Sequence, residues 1–154
     1  MSAQGTILVT GTNGGLGSQI VASILKNPEL AGPYHGIYTV RKASSAAQLQ
    51  AVLRNAPATH QHETVELDLG KLAQVRATAA RINARVAAGE LPRIRALVLN
   101  AGFQEHTTQD FSEDGYAMCF QANYLSHWLL TLLLLESMDR EHGRIVVVGS
   151  WSHE

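Results

Sequence analysis

Eight residues, Thr10-Gly11-Thr12-Asn13-Gly14-Gly15-Leu16-Gly17, constrain this chain more than any other segment. Ahead of them, Ile7-Leu8-Val9 is a continuous apolar run of strand length. Behind them, Leu16, Ile20, Val21, Ile24 and Leu25 recur at helical spacing until Asn27-Pro28 stops the pattern. In that setting Gly11 takes the tight turn, Gly15 lets a diphosphate approach the backbone, and Gly17 allows the helix to pack closely on the strand. The helix N-terminus adds unpaired N–H groups and the positive end of its dipole. Most glycine-rich turns are only turns. A strand before and a helix after make this one a nucleotide cradle.

The rest of the chain repeats the same alternation. Ile37-Tyr38-Thr39-Val40, Thr64-Val65-Glu66-Leu67, Ala96-Leu97-Val98-Leu99 and Ile145 to Val148 read as further strands. Ala46 to Leu53 is a weaker helix, ended by Asn55-Ala56-Pro57. Leu72, Val75, Ala79, Ile82 and Val86 step by three and four towards Gly89, which ends a cleaner helix. A long helix is expected from Ser112, its N-cap, with Glu113 and Asp114 in the first turn, to Met138. From Trp128 on it is apolar nearly all round, so cover on more than one side is expected.

Apolar strands separated by helices specify an α/β fold. The expectation is a Rossmann-type, doubly wound parallel sheet of five strands in the order 3-2-1-4-5, with helices on both faces. The order reverses between strands one and four, so a ligand crevice belongs just after Val9 and Leu99. The 154 residues fit a single domain, 1–154, at the usual size of about 150 residues.

Composition removes several function classes. Twelve Lys+Arg face 13 Asp+Glu, a formal net charge of −1, so no basic field announces nucleic acid or an anionic membrane. Met1 to Gln4 is short and polar, unlike the start of a secretory signal. The longest strongly apolar run, Trp128 to Leu135, is shorter than a bilayer span. Cys119 has no second cysteine to pair with, which fits a reducing compartment. A soluble, cytoplasmic protein is expected, with Cys119 a buried and inert thiol in mid-helix. His60-Gln61-His62 sets two imidazoles close together, but a metal site needs further ligands, and surface histidines are the plainer account. His106, His127, His142 and His153 show no ligand spacing, and no metal is expected.

Thr10, Gly11, Gly15 and Gly17, in the pattern Thr-Gly-x-x-x-Gly-x-Gly, resemble the cofactor fingerprint of the short-chain dehydrogenase/reductase family. Later segments match the same family in order, and the resemblance implies a nicotinamide coenzyme. Arg41 closes strand two, where the family's NADP users commonly carry a basic residue and its NAD users an acidic one. A guanidinium there offers a planar fork to a 2′-phosphate, favouring NADP(H) over NAD(H); otherwise it is a solvated charge at a strand end. Asp68, followed by Leu69, matches the acidic residue set near the adenine; its plain alternative is a cap on the helix starting near Lys71. Asn100-Ala101-Gly102 matches the family's Asn-Ala-Gly motif, with Asn100 able to tie neighbouring strands and Gly102 leaving room for the coenzyme. Gly11, Thr12, Asn13, Gly15, Leu16 and Gly17 complete the implied coenzyme set.

Asn123, in Gln121-Ala122-Asn123-Tyr124-Leu125, matches the family's active-site asparagine, which stabilises a helix kink and holds a relay water; the plain alternative is a buried amide bonded to backbone. Ser150, after strand five, stands where the family carries its catalytic serine, and Ser152 competes for that role. Asp114-Gly115-Tyr116 through His127 is similar to the retinol-dehydrogenase and protochlorophyllide-reductase branch. The family's general acid is a tyrosine in Tyr-x-x-x-Lys on the next helix, whereas only four residues follow Ser150 here. Tyr38 and Lys42 have that spacing, but on a strand they lie roughly 13 Å apart and cannot act as the pair. The resemblance therefore implies the coenzyme-binding portion of an NADP(H)-dependent oxidoreductase of small carbonyl or alcohol substrates, C-terminally incomplete and impaired in hydride transfer. The alternative is a non-catalytic NADP-binding module acting as sensor or partner subunit. Strand five becomes an apolar edge, and a homo-oligomer, or association through the helix 112–138, is expected.

Overall fold

The structure, a computed structural model, describes residues 3–105 and 108–150. Ser152, His106 and His153 lie outside the described residues. Strands β1 (Gly5–Val9), β2 (Tyr34–Val40), β3 (His62–Glu66), β4 (Ile94–Leu99) and β5 (Arg144–Val147) form one parallel sheet, in the order β3-β2-β1-β4-β5. This is the order expected from right-handed crossovers. Leu8 stands in register with Ile37 on one side and Leu97 on the other.

Strand periodicity sorts the apolar residues into two cores. Ile7 and Val9 face Val21, Ile24 and Leu25 of α1 (Gly15–Lys26) and, past the short α2 (Pro28–Ala31), Leu49 of α3 (Ala47–Leu53). Leu8 points the other way, into a cluster with Val75, Ala79 and Ile82 of α4 (Leu72–Ala87). Leu130 and Leu134 complete that second cluster. Burial on both faces is what a continuous apolar strand requires.

The long helix departs from expectation. It consists of α5 (Met118–Phe120), a π-helical turn (Gln121–Leu125), α6 (Ser126–Leu134) and a 3₁₀ turn (Leu135–Ser137). Ser112 does not cap it. Ser112 Oγ accepts from the backbone N–H groups of Asp114 and Tyr116 at 3.2 and 3.3 Å, and Gly115 turns with φ +83°. A serine that closes a local turn cannot also start a helix there. Asp114 instead serves α4, its Oδ2 accepting from Leu72 N at 3.0 Å and Gln121 Nε2 at 2.8 Å.

By length and composition alone, Met118–Ser137 would suffice to cross a bilayer, unlike its apolar run taken separately. Its inner side is used here, with Leu130 and Leu134 fully buried. Its outer side carries Phe120, Tyr124, Trp128, Leu132 and Leu135, all about half exposed, so the expected cover on more than one side is not provided by the described residues. Ile145, Val146 and Val147 of the edge strand are exposed as well.

Candidate functional site

The glycine turn sits at the carboxyl end of β1, where Thr10 N still bonds Val98 O of β4 at 2.9 Å. Gly11 has φ +68°, a conformation that disfavours any side chain, and a Cβ there would lie 2.7 Å from Ala101 Cα. Gly17 and Gly15 divide the remaining work. A Cβ on Gly17 would strike the Gly11 carbonyl oxygen, whereas a Cβ on Gly15 would meet nothing within 4 Å. Gly17 is therefore needed for packing α1 on the turn, and Gly15 faces open space. Gly14 occupies the N-cap of α1 and supplies no side-chain cap. The first-turn N–H groups of that helix have no intrahelical acceptors. Gly14, Gly15 and Leu16 are exposed.

Asn100 builds the adjoining wall. Its Nδ2 donates to Thr10 O at 2.9 Å and, more weakly, to Gly11 O at 3.4 Å, tying the ends of β1 and β4. Thr10 Oγ1 accepts from Asn100 N at 2.9 Å and Ala101 N at 3.0 Å, and lies 2.9 Å from His127 Nε2. Asn123 stands in the π turn, where the helix widens and Ser126 N–H reaches back five residues to Gln121 O. Such turns are frequent at functional sites. Asn123 is exposed rather than buried, and its side chain clamps Phe103: Oδ1 accepts from Phe103 N at 3.0 Å and Nδ2 donates to Phe103 O at 2.8 Å. A Cβ on Gly102 would come within 3.3 Å of Asn123 Oδ1, so the Asn-Ala-Gly loop and the π turn are in contact. Cys119 is half-buried in the first turn of the helix, not buried in its middle, and Asn123 Nδ2 lies 3.3 Å from its Sγ.

The remaining predicted residues line up along the carboxyl edge of the sheet. Thr12 is buried and turned inward, its Oγ1 donating to Thr39 O at 3.0 Å. Asn13 holds the segment after β2, its Oδ1 accepting from Gln48 N and Leu49 N at the start of α3 and its Nδ2 donating to Ser45 O. Arg41 is exposed, one residue past β2. Asp68 does not cap α4; its Oδ1 accepts from Gly70 N at 3.0 Å, closing a tight turn after β3. Leu69 is buried, and its carbonyl accepts from Ser126 Oγ at 2.6 Å. Ser150 is exposed, three residues past β5. Bonded contact thus joins the glycine turn, Asn100, Ala101, Gly102 and Asn123, while Arg41, Asp68 and Ser150 occupy neighbouring strand ends.

One histidine differs from its sequence reading, and a second has a place that spacing alone does not give. His60 is buried, not a surface residue, because Tyr38 reaches it: Tyr38 OH lies 3.0 Å from His60 Nε2, and His60 Nδ1 lies 2.7 Å from Ala31 O. His127 is buried too, joining Thr10 to the Asn123 carbonyl, with Nδ1 3.2 Å from that oxygen. Its spacing of four from Asn123 places the pair on one helix face, a signal available in the sequence. Burial lowers the pKa of His127, opposed by the bond to the Asn123 carbonyl.

Known proteins resemble this chain in sequence and in fold. The chain is 55% identical over 158 residues to the short-chain dehydrogenase iccH of Talaromyces variabilis, covering 100% of this chain and 43% of that protein. It is 37% identical over 153 residues to retinol dehydrogenase 14 of Mus musculus, covering 94% of this chain and 43% of that one. Among solved structures, the Pseudomonas aeruginosa RhlG/NADP active-site complex matches with a TM-score of 0.67 at 26% identity, over 96% of this chain and 55% of that one. The chain thus spans less than half the length of these two curated relatives. The short chain dehydrogenase family profile matches residues 5–153, and the chain belongs to that family.

Proposed function

We propose that these residues form the coenzyme-binding portion of an NADP(H)-dependent oxidoreductase acting on a small carbonyl or alcohol. The observation that carries this reading is the division between Gly17, closed by the Gly11 carbonyl, and Gly15, open above uncapped N–H groups. Open space above Gly15 and the positive end of the helix dipole suit an anionic diphosphate. Arg41 favours a coenzyme bearing a 2′-phosphate, and Asp68 is available to the adenine amine. The RhlG structure, which is a complex with NADP, supports the same class of ligand.

Bound NADP(H) would supply or accept the hydride. This chain's own groups would orient and polarise: the Ser150 hydroxyl donates to the substrate carbonyl, which stabilises developing alkoxide charge. Asn123, clamped to Phe103 beside the crevice, would hold the relay water. No Tyr-x-x-x-Lys follows β5 within these residues, so the 154-residue chain alone is expected to bind coenzyme with impaired hydride transfer. Its exposed helix face suits association with a second copy. Thermal unfolding with and without NADPH tests the core of the reading. Saturating coenzyme at a hundredfold excess over Kd should stabilise the fold by about 2.7 kcal/mol. An unmoved transition at millimolar NADPH rejects it. Ketone reduction at the rate of a complete family enzyme rejects the impairment.

A further inference from the structure

His127 is a buried polar residue that the proposed chemistry leaves unused. Its two ring nitrogens face the Asn123 carbonyl at 3.2 Å and Thr10 Oγ1 at 2.9 Å. The hydrogen inventory assigns the protons. A hydroxyl has one hydrogen and two lone pairs. Thr10 Oγ1 spends both lone pairs on the N–H groups of Asn100 and Ala101. Its hydrogen has two acceptors in reach, His127 Nε2 at 2.9 Å and Val98 O at 3.5 Å, and the shorter contact prevails. Nε2 is then bare, and the Asn123 carbonyl takes the hydrogen on Nδ1. One neutral tautomer satisfies every contact.

We propose that His127 is a positioning residue: as the Nδ1–H tautomer it splints the glycine turn, through Thr10, to the π turn that carries Asn123. The consequence for ligand binding rests on the coenzyme reading above; the splint itself does not. Gly11 packs directly on Ala101, so the hydroxyl that fixes the Asn100 and Ala101 amides also fixes the turn. Asn123 makes the exposed link between helix and loop, at Phe103, and His127 makes the buried one. Loss of the imidazole frees the Thr10 hydroxyl to rotate, and the two amides lose a fixed acceptor.

Two amide substitutions separate the ends of the splint. The terminal amide of glutamine reaches where Nε2 sits, and that of asparagine only where Nδ1 sits. His127→Asn is expected to raise the Kd for NADPH about tenfold, the scale of one lost buried hydrogen bond. His127→Gln recovers most of that affinity, and in a Thr10→Val background the two variants converge. Nitrogen-15 spectra of the full chain should show His127 protonated at Nδ1 and bare at Nε2 at neutral pH. A purely structural residue would lower Tm in both variants alike and leave their affinities equal, which overturns the proposal. A ring protonated at Nε2 overturns it independently, even if neither variant folds. If the unsubstituted chain binds no NADPH, the coenzyme reading fails, and the observed tautomer alone then upholds or rejects the splint.

Discussion

His127 and His60 are the same device at opposite ends of one sheet. Each is a buried imidazole held between a hydroxyl and a backbone carbonyl, Thr10 and Asn123 for one, Tyr38 and Ala31 for the other. Burial lowers the pKa of both. The difference lies in what the hydroxyl also holds. Thr10 Oγ1 carries two loop amides at the carboxyl end of the sheet. Tyr38 OH has His60 as its hydrogen-bond partner among the described residues, and His60 in turn stacks on His62, ring centroids 5.2 Å apart, at the amino end. An identical three-group unit therefore acts as a lever on a site in one place and as a simple fastening in the other.

The largest expected effect is at the fastening. His60→Ala leaves the Tyr38 hydroxyl and the Ala31 carbonyl buried without partners, a loss of about 2–4 kcal/mol in unfolding free energy. Denaturant melts should show it. NADPH affinity, corrected for the folded fraction, should stay within about twofold, a change below half a kcal/mol. A large affinity loss would break the contrast between the two histidines.

A pair of glycines sharpens the same contrast at smaller cost. A Cβ on Gly36 would come within 2.6 Å of the buried Tyr38 ring and hydroxyl, and one on Gly17 would meet the Gly11 carbonyl. Each alanine overpacks its site and should cost about 1–3 kcal/mol. Their effects on ligand binding should diverge: Gly17→Ala abolishes measurable NADPH binding, and Gly36→Ala keeps it. Equal titrations in the two variants would mean that the turn does not hold the diphosphate.

Acid should weaken both ends together. His35, His60 and His127 all have pKa values lowered by burial, with Glu63 partly offsetting the effect at His35. The unfolded chain, with imidazoles near their ordinary pKa of about 6.5, takes up protons before the folded one does. Stability from these neutral rings is thus complete above that value and drains as pH falls below it. Tm measured from pH 7.5 to 5 should decline, and His60→Ala should flatten the slope.

These features were unevenly legible in the sequence. Sheet order and the glycine turn could be read because apolar strand runs and fixed glycine spacings are local. Strand β2 starts at Tyr34, earlier than the apolar run Ile37 to Val40 indicates, because Tyr34-His35-Gly36 continues the backbone pairing with β1 while His35 meets Glu63 of β3, 3.4 Å away. The start of the long helix is not legible locally, because Ser112 can close a turn as readily as cap a helix, and the choice is made at a distance. Asp114 finds its amide at Leu72, 42 residues away, and Thr10 finds His127 at a separation of 117. A spacing of four makes Asn123 and His127 neighbours on a helix, but nothing local reveals the Thr10 hydroxyl that His127 meets.

The smallest effect on stability, and the finest on binding, concerns β2, which connects the two regions. Tyr38 leans from it towards His60, and three residues on Arg41 stands exposed at the carboxyl end. Arg41→Ala should change unfolding free energy by no more than about 0.5 kcal/mol, as for other exposed side chains. A guanidinium paired with a 2′-phosphate makes charge-assisted hydrogen bonds, so NADPH affinity should fall about tenfold or more on its loss. NADH lacks that phosphate, and its affinity should stay the same. Glu66 bears on the same loop, its Oε1 accepting from Ala43 N at 2.7 Å, so a carboxylate already lies near this strand end. Parallel loss for NADPH and NADH would move Arg41 from reading the phosphate to shaping the loop; no loss for either would leave the glycine turn to hold the coenzyme without it.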